Sequence, residues 1–71
     1  MVESGYTALV KRVGDWWIGW VQEVPGVNAQ ERTKEELLIS LTEALREAIE
    51  FNRQDARQAA DSDYVEEPLV L

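Results

Sequence analysis

The stretch "YTALVKRVGDWWIGWVQEV", residues 6–24, decides the fold. Two runs rich in β-branched and aromatic residues flank Gly14-Asp15, the signature of a β-hairpin. A two-residue loop with glycine first predicts a type II′ turn, and that turn sets the register: Val13 opposite Trp16, Lys11 opposite Ile18, Val10 opposite Gly19, Leu9 opposite Trp20 and Ala8 opposite Val21. One face of the hairpin then carries Leu9, Lys11, Val13, Trp16, Ile18 and Trp20. The other carries Tyr6, Ala8, Val10, Arg12, Trp17, Gly19 and Val21, with Ala8 and Gly19 making a shallow centre where a helix can approach closely. A one-residue slip would exchange the two faces, so the pattern alone leaves open which of them is covered.

Downstream, Pro25-Gly26 marks a turn and residues 27–31 a short third strand. "TKEE" then forms a capping box: the Thr33 hydroxyl accepts from the Glu36 amide, and the Glu36 carboxylate reaches back to the Thr33 amide. A helix is expected from Lys34, because Leu37, Leu38, Leu41, Ala44, Leu45, Ala48 and Ile49 recur at spacings of three and four. The stripe fades near Phe51 to Arg57, which predicts about five turns. "ARQAADSD" reads as a frayed end or linker, and "YVEEPLVL" as a last strand that Pro68 confines to a sheet edge. The expected fold class is α+β: a small antiparallel sheet of three to four strands, ordered βββαβ, with one amphipathic helix on one face.

The chain has 71 residues, 45% of them hydrophobic, enough for one folded domain. A domain of this size buries only about 60% of its unfolded surface, so partner surfaces are expected to add stability. Fourteen Asp and Glu against seven Lys and Arg give a net charge of −7. Such a surface repels a nucleic-acid backbone and attracts basic proteins, so direct nucleic-acid binding is not expected and a cationic partner is. The absence of cysteine makes the cytoplasm the default location. No stretch is long and apolar enough to suggest a membrane span or a leader.

An enzyme would have to work without histidine or cysteine, which removes most nucleophile–base pairs and the usual transition-metal sites. Asp61, Asp63, Glu66 and Glu67 lack the rest of a calcium loop and are better explained as a solvated acidic tail. Arg46, Arg53 and Arg57 share a helical face, but Glu43 and Glu50 precede the first two by three residues, within ion-pair reach. No catalytic, metal or cofactor site is expected. The tryptophans are different. One helix covers one face of a small sheet, so Trp17 can be core while Leu9, Val13, Trp16, Ile18 and Trp20 stay on the uncovered face. A contiguous patch with two indoles is the mark of a partner or oligomer interface.

Taken together, "YTALVKR", "WWIGWVQEVPGV", "ERTKEELLISLTEALREAIEF" and "EEPLVL" resemble the HicB family of antitoxins in its short, single-domain form. The likeness centres on Glu23-Val24-Pro25-Gly26, followed by Thr33 with Glu35-Glu36 and then Glu43-Ala44. It implies an α+β domain over residues 1–71, like a degraded ribonuclease H fold without its catalytic carboxylates, and no enzymatic activity. It also implies binding and silencing of a HicA-like toxin, a small basic protein that cleaves messenger RNA. With nothing following Leu71, no separate DNA-binding domain is expected. The chain departs from the family at Glu31-Arg32, which stand where a glycine usually precedes the cap. The alternative expectation is a stand-alone homo-oligomer, a dimer or tetramer, with structural or regulatory function and no toxin.

Overall fold

The computed structural model describes residues 5–71; the first four residues, which the single-domain expectation includes, lie outside the described part. Three strands and one helix follow in order: β1 (Ala8–Val13), β2 (Trp16–Val21), β3 (Asn28–Glu31) and α1 (Lys34–Ala60). The strands form one antiparallel sheet in the order β1-β2-β3. The β1–β2 register is the one the turn predicts, from Ala8 opposite Val21 to Val13 opposite Trp16. Gly14 has φ +60 and Asp15 does not share a positive φ, which is the type II′ pattern.

The loop between β2 and β3 is closed by the Val21 N–H, which donates to the Val27 carbonyl at 3.0 Å, while the Gln22 N–H donates to the Thr7 carbonyl at 2.9 Å and carries the β1–β2 pairing one step further. The Thr7 N–H donates to Glu23 Oε1 at 2.8 Å. That backbone bond is the main reason the Glu23 carboxyl sits below its ordinary pKa. A folded-state pKa that is depressed gives stability present in full above the ordinary glutamate range and lost as pH falls through the lowered value. Glu23→Gln should therefore be less stable than wild type at neutral pH, with the two converging in acid. Urea titrations between about pH 3 and 7, which bracket the ordinary carboxylate range, check this; a gap that stayed constant would assign Glu23 a role independent of its charge.

Helix α1 starts where expected. Thr33 is the N-cap, and its Oγ1 accepts from the Glu36 N–H at 3.1 Å. The return half of the box differs, because the Glu36 carboxylate accepts from the Thr33 hydroxyl at 3.2 Å instead of from the Thr33 amide. Ser40 donates to Glu31 Oε2 at 2.6 Å and ties the helix to β3. The core consists of Val21, Val27, Leu37 and Leu41, flanked by half-buried Val10, Trp17, Val24, Ala29, Leu45 and the helix alanines. The helix thus lies on the Val10, Trp17, Gly19, Val21 face. Gly19 permits it: a Cβ there would stand 3.0 Å from the Leu9 carbonyl oxygen and 3.1 Å from Leu41 Cδ1.

Two expectations are corrected. The helix has 27 residues rather than about five turns and runs to Ala60. The apolar stripe does fade, but Asn52 to Ala60 contains no glycine or proline and is rich in arginine, glutamine and alanine, so intrinsic propensity carries it on. It stops at Asp61, whose φ is 69 and whose N–H bonds the Arg57 carbonyl at 2.9 Å. The last strand does not form: residues 64–71 join no ladder and are exposed, and among the described residues the sheet has three strands, the lower of the expected three to four. The helix carries them beyond the sheet, since every residue from Glu50 onward is exposed, and Pro68 lacks a ladder donor. The segment instead bends back on the helix, with Tyr64 to Glu66 beside Arg53–Ala60 and Arg57 Nε 3.9 Å from Glu66 Oε2.

Candidate functional site: the uncovered sheet face

With α1 on one side, the period of two along each strand sends the alternate residues to the opposite side. Pairing aligns them in three rows across the sheet: Leu9–Trp20–Asn28, Lys11–Ile18–Gln30, and Val13–Trp16, with Arg32 continuing the parity of β3. The Arg32 guanidinium carbon stands 4.2 Å from the centroid of the Trp16 ring, a cation–π contact that fixes that indole at the corner. Leu9, Val13, Trp16, Ile18 and Trp20 therefore all lie on one face, and no helix or strand of the described residues covers it. Trp16 and Trp20 remain 37% and 42% exposed, whereas Trp17, one residue from Trp16, packs against the core.

The electrostatics of this face differ from those of the molecule. Its charges among the described residues, Lys11 and Arg32, are both positive. Residues 1–34 carry four basic and four acidic side chains, and residues 35–71 carry three basic and ten acidic ones. The helix and the segment after it, residues 34–71, thus carry four basic and ten acidic side chains, which is six of the seven net negative charges. Glu31, next to Arg32 in sequence, is held on the helix side by Ser40. Sequence reasoning misses Arg32, Asn28 and Gln30; extending the parity of β2 through β3 would find them. Splitting the charge count at Thr33 would find the asymmetry.

Chemically the face offers indole and aliphatic surface, two cations and two amides. It is a surface suited to binding. The helix arginines do not build a second site. The one ion pair among the described residues is Arg57–Glu66, while Glu50 accepts from Gln54 at 3.2 Å rather than pairing with Arg53. Among the described residues no three His, Cys, Asp or Glu side chains gather as a metal would require, and no helix is long and apolar enough to cross a membrane.

The class this geometry defines is an α+β domain, a three-stranded antiparallel sheet with one helix packed on a single face. No protein-family model, curated protein or solved structure matches the chain.

Proposed function

We propose that this protein is a non-enzymatic interaction module of the HicB-like antitoxin type, one that occludes a small basic protein of the HicA kind in the cytoplasm. The observation that carries the reading is the uncovered face with two half-exposed indoles on a strand whose third tryptophan is core. Residues of this type dominate binding energy when a partner desolvates them. The negative charge sits beside that face and not on it, so a basic partner would dock its apolar part on Trp16, Ile18 and Trp20 and its cations on the acidic helix. The likeness to a degraded ribonuclease H fold belongs to this proposal and rests on the resemblance to the HicB family.

The test is retention of a small basic protein by the tagged chain from host lysate at low and high salt. Trp20→Ala should weaken that complex by more than about 2 kcal/mol with the fold intact, and high salt should weaken it further. A basic protein retained equally by the Trp20→Ala chain would overturn the role of the face.

A second reading, a stand-alone homo-oligomer, is favoured by one specific observation. The face is positive in a chain whose remainder is strongly negative, so a second copy of this chain is itself a charge-complementary partner.

A further inference from the structure

We infer that the open sheet face of one copy is the docking site for the segment Tyr64–Leu71 of a second copy, with Glu67 seated on Lys11. The inference deepens the homo-oligomer reading and does not require that any basic partner exist.

The segment leaves large apolar side chains in water to a degree no other part of the described chain does. Val65 is 79% exposed, and Leu69, Val70 and Leu71 are more so, Val70 reaching 95%. Such a run in one stretch is what a free surface ordinarily avoids. It also carries Glu66 and Glu67, and Glu67 is held extended by the proline that follows it. In an extended chain alternate residues share a side. Val65, Glu67 and Leu69 then form an apolar–anion–apolar row. The open face presents the counterpart: Leu9, Lys11 and Val13 alternate along β1 as an apolar–cation–apolar row, with Trp16 and Trp20 alongside. Laid over β1, the segment sets Glu67 against Lys11 and its two aliphatic residues against Leu9 and Val13. Its other acid, Glu66, lies on the outer side, toward solvent. Docking on the face needs no ladder, so the donor missing at Pro68 costs nothing there, whereas at a sheet edge it would.

The chain's own face is out of reach. Leu45 lies beside Ala8 and Val21 at the end of the sheet, and Asp61 is about 24 Å farther along the helix. Lys11 lies in the opposite direction, about 10 Å behind Ala8, and on the far side of the sheet. The extended stretch from Asp61 to Glu67 spans only about 20 Å. A second copy has no such restriction, and reciprocal exchange about a two-fold axis satisfies both segments and both faces and closes the assembly at two. The exposed Arg57–Glu66 pair is weak enough to yield to this contact.

The experiment is sedimentation or light scattering of the purified full chain alone. Lys11→Glu and Glu67→Lys each place like charges at the centre of the contact and should each raise the dimer Kd about tenfold or more. Both substitutions are on the surface, and circular dichroism checks that the helix is unchanged. When the two variants are mixed in equal amounts, one contact sets the introduced carboxylate on the face of the first against the introduced ammonium on the segment of the second. The other contact keeps the original Lys11–Glu67 pair. A heterodimer as tight as wild type is therefore expected. A wild-type chain that stays monomeric overturns the proposal, and so does a dimer indifferent to both reversals or a mixture that fails to restore association. Failure here leaves the binding of a basic partner standing, and absence of such a partner leaves this contact standing.

Discussion

Leu37→Ala is expected to destabilise the domain by roughly 3 kcal/mol, within the range of about 2–5 kcal/mol for a buried leucine whose site cannot collapse. Leu37 is fully buried, and among the described residues it shares the core with only Val21, Val27 and Leu41. A domain of this length has on the order of 4–10 kcal/mol of stability in all. A loss of about 3 kcal/mol lowers the melting temperature by on the order of 15–20 °C. The neighbours cannot fill the hole, because the sheet under Leu37 is held by β2–β3 pairing and the first helical turn is anchored by Thr33 and by the Ser40–Glu31 bond. Ile39→Ala is the control: Ile39 lies on the outer side of the same helix, 60% exposed, and its loss should stay within about 0.5 kcal/mol. Thermal and urea unfolding of the two variants decide the matter. Equal effects would mean that the helix packs by another face.

The second large effect is expected at Gly19. An added Cβ meets the Leu9 carbonyl oxygen and Val10 Cγ1 at 3.0 Å and Leu41 Cδ1 at 3.1 Å, closer than side-chain carbons settle without something moving. The Leu41 end can turn away, but the backbone oxygen belongs to the β1–β2 pairing and yields a few tenths of an ångström only by straining it. Gly19→Ala should cost about 1–3 kcal/mol by overpacking, and Gly19→Val should stand at or above the top of that range. The gain from restricting the unfolded chain, under about 1 kcal/mol, does not offset it. Leu41→Ala opens space against the same carbon, so combining it with Gly19→Ala should be less damaging than the two single losses added together. Urea unfolding of the singles and the double measures the difference, and additive losses would show that the conflict lies with the β1 backbone alone.

Leu37 and Gly19 also show why part of the fold is legible in the sequence and part is not. The hairpin, its register and the helix start follow from local chemistry. Gly14-Asp15 admits one tight turn, and Thr33 with Glu36 caps one helix. The division of the tryptophans is legible once that register is set, because alternation is a property of the strand itself. The helix approaches closely at Gly19, a residue without a side chain among large ones, whereas Ala8, the other small residue of that face, stays exposed. The fading apolar stripe understates the helix because it measures packing, whereas the backbone from Asn52 to Ala60 needs only residues that tolerate a helix. The missing fourth strand has the same origin. "YVEEPLVL" has the composition of a strand, but the longer helix delivers it to where no sheet edge waits.

The open face is half legible. Leu9, Val13, Trp16, Ile18 and Trp20 follow from alternation, whereas the Arg32 stack on Trp16 depends on where the turn into the helix places that side chain. Contacts between near neighbours in the chain settle the turn, the pairing, the cap and the presence of one apolar stripe, and these can be read from residue order. Whatever depends on how far an element extends is settled only in three dimensions. The helix outruns the sheet, so the charge it carries and the apolar segment beyond it are held away from the chain's own core, and the Trp16, Ile18 and Trp20 face is left without a cover from the described residues. A side chain's local preference does not encode the distance between two ends of a rigid element, and that distance leaves the face open to a partner.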